Sequence, residues 1–164
     1  LLSFVDNHDV SRIASVLNNE KHLPLIYALM FAMPGIPCIY YGSEWGEKAE
    51  KSQGDPALRV SFDKPQSNEL TEWIAALAKA HKESKALCYG SLSVPVLTNK
   101  QCIIEREFEG ERVLAAINAD SESYTAHFNA RCGRAVDLIT GKEHDFGGGS
   151  ELPPYSAYLW ECER

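Results

Sequence analysis

Two hydrophobic rhythms divide the chain. From Leu1 to about Leu87, short apolar runs alternate with stretches of helical period; from Cys88 onward, apolar and polar residues alternate in short runs parted by turn residues. In the first part, Leu1 to Val5 reads as a strand buried on both faces, with Ser11 as the cap of a short helix running through Leu17. Pro24 suits a first helical turn, and Leu25, Ile26, Leu29, Met30 and Met33 continue an almost wholly apolar helix until Pro34 and Gly35 stop it. "IPCIYYG" reads as a second buried strand that Gly42 ends. Strand, helix and strand, with both strands apolar on two faces, are the repeating unit of a parallel sheet covered by helices.

A long polar loop follows, "SEWGEKAEKSQGDPALRVSFDKP", of a length that compact domains keep for function or leave disordered. From Asn68, residues Leu70, Trp73, Ile74 and Leu77 mark one face of an amphipathic helix. Glu69 and Glu72 lie in its first turn and Lys79, Lys82 and Lys85 lie towards its end, the order that the helix dipole favours. Beyond it, "QCIIEREF" and "RVLAAIN" flank the turn "EGE" as a hairpin. Further strands are predicted at "SYTAHF", "AVDLI" and "AYLWEC", with "TGK" and "GGGS" as turns or loops. Short strands spaced in this way predict an antiparallel sandwich.

Composition narrows the classes of function. The 164 residues include 45% apolar side chains, and the longest apolar run, near Leu23 to Met33, is too short to cross a bilayer, so no membrane partner is expected. A formal net charge of -7 argues against a nucleic-acid partner, which needs clustered Lys and Arg to neutralise phosphates. The five cysteines, Cys38, Cys88, Cys102, Cys132 and Cys162, are scattered and odd in number. They read as small buried hydrophobes in a reducing, cytoplasmic setting, and neither a disulfide framework nor a metal knuckle is suggested. No cofactor is implied, and the histidines and carboxylates lack the spacing of a metal site.

The chemistry concentrates in "DNHD", Asp6 to Asp9. Polar side chains that follow a buried parallel strand lie at its carboxyl end, where folds of this kind place their active sites. Spacing alone leaves a second reading open, in which Asn7, Asp9 and Ser11 only cap the next helix and His8 is a turn residue.

Three segments in order separate the two readings. "FVDNHDVSR" resembles the fourth signature segment of the α-amylase family of glycoside hydrolases, in which an Asn-His-Asp triplet closes the seventh strand of a (β/α)8 barrel. "PGIPCIYYGSEWG" is similar to that family's eighth strand, and "GDPALR" to its Asp-Pro-x-x-Arg loop. The tail, with "RVLAAIN", "DLITGK" and "LPPYSAYLWE", is similar to the family's C-terminal domain. The fold class implied is α/β plus all-β: the last two βα units of a (β/α)8 barrel over residues 1–87, then an antiparallel β-sandwich over 88–164. A complete barrel takes about 250 residues, so the chain is expected to be the C-terminal piece of a longer enzyme.

The resemblance also implies roles. Retaining cleavage of α-1,4-glucosidic bonds uses a carboxylate nucleophile and a carboxylic acid roughly 5–5.5 Å apart, and in the family these come from strands four and five. The family's third carboxylate matches Asp9, which would accept hydrogen bonds from hydroxyls of the cleaved ring; His8 would hold a hydroxyl of the same sugar. Asp55 and Arg59 would grip a glucose further along an α-glucan or maltooligosaccharide. Tyr40, Tyr41 and Trp45 would either stack on sugar or fill the barrel wall. Ser43 departs from the Asp common in the family, which puts that residue's local hydrogen bonds in doubt. The chain alone is expected to be catalytically inert and to self-associate through its bared barrel edge. The alternatives are a carbohydrate-binding or structural β-sandwich module without catalysis, or part of a transglycosylase of the same family.

Overall fold

The computed structural model describes residues 1–163. Its first part holds a short parallel pair, β1 (Leu2–Ser3) and β2 (Ile36–Pro37), in the register Leu2 to Ile36 and Ser3 to Pro37. Between them run α1 (Ile13–Val16) and α2 (Leu23–Ala32), which gives the parallel crossover that the apolar pattern predicts. The expected burial on both faces does not occur: Leu2 is 59% and Ile36 63% exposed, and Leu1 and Phe4 are exposed as well. Among the described residues no further strand lies beside β1 or β2, so their outer flanks have nothing to pack against.

Ser11 is not the cap that its position suggests. Its hydroxyl accepts the backbone N–H of Lys51, while the Oδ2 of buried Asp6 takes the N–H of Ile13 at 2.9 Å and so satisfies the start of α1. α2 begins with Leu23 and Pro24 and buries Leu25, Tyr27, Ala28, Met30, Phe31 and Ala32. A helix apolar on nearly all sides needs cover on nearly all sides. α4 (Glu69–Glu83) supplies it on one flank and the β-sheet on the other.

The start of α4 is closed from both sides: Asn68 Oδ1 accepts the Thr71 N–H at 3.1 Å, and Thr71 Oγ1 accepts the Asn68 N–H at 3.2 Å. Its apolar stripe buries Ile74 and Leu77, and the Trp73 indole donates to the carbonyl of Pro24 in α2 at 2.9 Å. The helix ends at Glu83, so Lys85 belongs to the next helix, α5 (Lys85–Tyr89), whose N-terminus Ser84 caps through the N–H of Leu87. That short helix runs across the boundary expected near residue 87.

The second part is a six-stranded antiparallel sheet in the order β3-β4-β5-β10-β7-β8, with a two-stranded ribbon of β6 and β9. Its strands are β3 (Ser91–Leu97), β4 (Gln101–Phe108), β5 (Glu111–Asn118), β6 (Tyr124–Ala126), β7 (Arg134–Asp137), β8 (Glu143–Asp145), β9 (Ser150–Leu152) and β10 (Ser156–Cys162). The hairpin of β4 and β5 turns on Glu109 and Gly110, both at positive φ, as a tight two-residue turn requires. β3 escapes the alternation rule because Pro95 interrupts it: the register slips between Ser93 and Val96, and the strand lies at the sheet edge, where a missing N–H is tolerated. The layer opposite the sheet is narrower than a full second sheet, being a ribbon of three-residue strands.

One face of the sheet, through Ile104, Val113, Ala115, Ile117 and Leu159, shares a continuous apolar cluster with α2 and α4. The other face, through Ile103, Leu114, Ala116 and Trp160, packs under the ribbon. Fully buried Arg106 ties the two parts together. Its guanidinium donates to the carbonyl of Ala32 at the end of α2 (2.9 Å) and to Gly90 (2.8 Å), acceptors that α2 and the α5 turn leave free. The cysteines do not share one environment: Cys162 is buried, Cys88, Cys102 and Cys132 are half-buried and Cys38 is exposed, which corrects the expectation that all are buried.

Glu105 on β4 anchors a second charged group. The carboxylate is buried and accepts from Arg112 Nε at 2.7 Å, from Ser93 Oγ at 3.1 Å and from Arg131, whose guanidinium also meets Glu107. Burial opposes its charge, yet the hydrogen bonds from Arg112 and Arg131 outweigh that and hold the carboxyl below the usual range. A depressed folded pKa contributes stability above the unfolded value, about 4.3, and loses it as pH falls through the folded value. Glu105→Ala is therefore expected to lower unfolding free energy by about 3 kcal/mol at neutral pH. In urea titrations, the gap between the parent chain and Glu105→Gln should close on acidification; a gap independent of pH would contradict the assignment.

Candidate functional site

The carboxyl ends of β1 and β2 open on the same side, and the segments that leave them are held by one buried side chain. Arg12, fully buried, donates from Nη1 to the carbonyl of Tyr41 (2.8 Å) and to Ser43 Oγ (3.2 Å), and from Nη2 to the carbonyl of Leu58 (3.0 Å). Its guanidinium lies 4.6 Å from the centre of the Tyr40 ring. Ser43 Oγ in turn donates to Asp6 Oδ2 at 2.8 Å, so cation and carboxylate are linked through a hydroxyl. Gly42 allows this closeness: its φ is +89°, and a Cβ there would come within 3.1 Å of Arg12 Nη1. Ser43 thus fills its place with a neutral group, where a second carboxylate would face Asp6.

The tyrosines extend the clamp. Tyr40 Oη donates to the carbonyl of Leu58 (3.0 Å) and Tyr41 Oη to that of Val60 (2.8 Å), so both pin the loop that follows α3 (Asp55–Leu58). Tyr27 Oη reaches the carbonyl of Ser43, and burial, aided by the charge of Asp6, pushes its phenol pKa upward. Trp45 lies elsewhere, beside Ala14, Leu17, Leu23 and Leu70 in a cavity of about 210 Å³ that none of the predicted site residues lines.

The four residues predicted for substrate contact come together on the surface above this clamp. Asn7 Oδ1 accepts the N–H of Asp9 at 2.8 Å and folds the "DNHD" segment into a tight turn. That turn brings His8 Nε2 to 3.3 Å from Asp9 Oδ2. The single turn of α3 puts residues 55 and 59 on one face, and Arg59 Nη2 lies 3.4 Å from Asp9 Oδ1 and 3.6 Å from Asp55 Oδ2. Lys51 Nζ closes the group with a 2.8 Å bond to Asp55 Oδ1. All four predicted side chains are about half exposed, open to a ligand from solvent.

This arrangement offers carboxylate acceptors and cationic or imidazole donors in alternation, which suits the hydroxyls of a neutral sugar. The hydrogen bond from Lys51, with the charges of Lys51 and Arg59, holds the Asp55 carboxyl below its ordinary range, so it stays ionised at neutral pH. The pattern of apolar residues pointed to neither Arg12 nor Lys51, and it grouped Asp6 with the polar residues after β1 without showing that Asp6 is buried. The available signal was Arg12 itself, a charge set between Val10 and Ile13 at a position that the helix buries.

The family model described as alpha amylase, catalytic domain, matches residues 2–100. A cyclomaltodextrin glucanotransferase of Niallia circulans is 31% identical over 154 residues, covering 90% of this chain and 20% of that protein. Among solved structures, the chain superimposes on the alpha-amylase from Geobacillus thermoleovorans, complexed with acarbose, with a TM-score of 0.88 at 22% identity, covering 100% of this chain and 39% of that one. CldA, a cyclomaltodextrin glucanotransferase with a three-domain ABC distribution, gives a TM-score of 0.83 at 28% identity, covering 100% of this chain and 36% of that one. The chain thus spans about a fifth of the length of the curated relatives it matches.

Arg12→Met should cost about 3–5 kcal/mol, since it leaves the carbonyls of Tyr41 and Leu58 without their donor and the buried Asp6 carboxylate without a nearby positive charge. Proton exchange at the amides of residues 55–60 should rise with it. Unchanged stability, read from the urea midpoint, would show that the clamp is dispensable.

Proposed function

This chain belongs to the alpha-amylase family, and from that premise we propose that it forms the substrate-gripping part of an enzyme that cleaves or transfers α-1,4-linked glucose. The supporting observation is convergence. Residues 8–9 follow β1 and residues 55–59 lie on a separate loop, yet Arg59 bridges Asp9 and Asp55 at the carboxyl end of the parallel pair. In this reading Asp9 accepts hydrogen bonds from two hydroxyls of the ring under attack. Bonds that strengthen as positive charge grows on that ring lower the barrier as well as aid binding. His8 donates to a hydroxyl of the same ring, and Asp55 with Arg59 holds the next glucose through planar, charge-assisted bonds.

In this reading the nucleophile and the proton donor lie outside these 164 residues, as the family resemblance implies, and Asp9 and Asp55 share one guanidinium nitrogen instead of forming an acid pair. The chain by itself therefore binds but does not cleave. Hydrolysis is the reaction proposed; transfer to another sugar is the second reading, favoured by the glucanotransferase names of the relatives.

In an intact enzyme containing these residues, Asp9→Asn should lower turnover about 100- to 1,000-fold, the loss typical of a group that stabilises charge in the transition state. The melting temperature should hardly move, since the side chain is mostly exposed. Full activity in that variant, or glucose released from maltotriose by the 164-residue chain alone, would overturn the assignment. The exposed flank of Leu1, Leu2, Phe4 and Ile36 adds a property of the chain in isolation: light scattering should show association, and a monodisperse monomer would contradict it.

A further inference from the structure

We propose that Cys132 and Cys162 form a redox-sensitive pair on the ribbon side of the β-sheet, closed to a disulfide by exchange with a low-molecular-weight disulfide such as oxidised glutathione. Nothing in their spacing along the chain pairs them; the fold does. Cys162 ends β10 and is buried in the cluster of Leu114, Ala135 and Trp160, and Cys132 packs against that same cluster from the turn before β7. There the Cys132 side chain lies within hydrogen-bonding reach of the Cys162 thiol.

The residues on either side of each cysteine are fixed, so the two sulfurs meet in a held geometry. Register sets Cys162 opposite Ala135, and the following N–H, that of Glu163, donates to the carbonyl of Arg134 at 3.0 Å. Arg131 is anchored on Glu105 and Glu107, and its N–H donates to Asn129 Oδ1 at 2.9 Å. The Gly133 carbonyl accepts the Phe146 N–H at 3.1 Å, which leaves Cys132 between two pinned neighbours. The other cysteines stand elsewhere. Cys102 packs into the cluster on the opposite face of the sheet, the Cys88 thiol donates to the carbonyl of His81 at 3.0 Å, and Cys38 is exposed just after β2.

Access sets the order of attack. Cys132 is half-buried and lines a cavity of about 320 Å³ with Phe128, Arg134 and Asp145, so a small disulfide from solvent reaches it first. Cys162 lies behind it. Burial, with Cys132 and Glu105 beside it and Arg112 acting weakly the other way, pushes its thiol up to about 12, so it stays protonated until the exchange begins. In the first step the Cys132 thiolate attacks one sulfur of the small disulfide, forming a mixed disulfide and releasing a thiolate that takes up the proton Cys132 gave. The Cys162 sulfur then attacks that of Cys132, and its proton leaves on the second small thiol. Two protein thiols and one small disulfide have become one protein disulfide and two small thiols. The bridge ties the end of the last strand to the turn before β7 and encloses residues 132–162 in a covalent loop, which restricts the unfolded chain and so stabilises the fold. Because β10 pairs with β5, whose Val113, Ala115 and Ile117 share a cluster with α2, oxidation strengthens the layer that supports the Asp9 segment.

The test is made on an intact enzyme that contains these residues. It is equilibrated with mixtures of oxidised and reduced glutathione, unfolded in an alkylating agent and mapped by peptide mass spectrometry, a readout that neither self-association nor the sugar chemistry alters. Cys132 and Cys162 should appear as one linked peptide in a chain that stays monomeric on a non-reducing gel, while Cys38, Cys88 and Cys102 carry the alkyl group. The folded enzyme should favour the bridge about 30-fold or more over the same enzyme in concentrated urea, the linkage counterpart of the stabilisation a native disulfide gives. Cys162→Ser should keep glutathione on Cys132, and Cys132→Ser should leave Cys162 alkylated. Alkylation of both residues under fully oxidising mixtures, a link from either to another cysteine, no preference of the folded state for the bridge, or a Cys162→Ser enzyme without glutathione on Cys132 would overturn the proposal.

Discussion

A guanidinium without access to water must find its acceptors within the protein, and the way Arg12 does so determines where the candidate site residues stand. Leaving such a group unpaired costs several kcal/mol. Arg12 takes the carbonyls of Tyr41 and Leu58 and the hydroxyl of Ser43, thereby tying the segment after β1 to the segment after β2 and to the loop after α3. Those three segments carry no regular ladder to align them. Without a fixed donor at their junction, the Asp9 turn and the Arg59 turn would have no common reference. The 3.4 Å approach of Arg59 to Asp9 is thus a surface consequence of a contact made in the interior.

The same device recurs where the two parts of the chain meet. Arg106 reaches from β4 to the last carbonyl of α2, that of Ala32, and to Gly90, as Arg12 reaches across the loops. Around it, α2, α4 and one face of the sheet share a single apolar cluster. The β-domain is therefore part of the support of the site. It buries the helix that follows the Asp9 segment, and removing the sheet would expose the apolar side of α2.

The sequence displayed the order of elements well, because α2, α4 and the hairpin of β4 and β5 each carry a strong period and clear end signals such as Pro24, Asn68 and Gly110. It also put forward four candidate residues, Asp9, His8, Asp55 and Arg59, through motifs whose spacing resembles a known family, and the fold brings those four side chains together. What it hid depends on burial. Ser11 has the right chemistry for a cap, yet Asp6 reaches the same N–H from within, and only the folded chain shows which one arrives. β3, β8 and β9 were missed for a related reason: Pro95 breaks the alternation of the first, and three-residue strands are too short to show a period. The outer flanks of β1 and β2 read as buried because apolar character reports a preference, while exposure depends on which neighbours are present.

Asp9 is the residue on which the account turns, and a structure with sugar bound tests it most directly. Crystals of an intact enzyme that contains this segment, with its nucleophile substituted and a maltooligosaccharide soaked in, should show both oxygens of Asp9 accepting hydrogen bonds from hydroxyls of one glucosyl ring. Arg59 and Asp55 should contact the adjoining glucose. An ordered oligosaccharide across the strand ends, with Asp9 bonded only to His8 and Arg59, would contradict the role assigned to it.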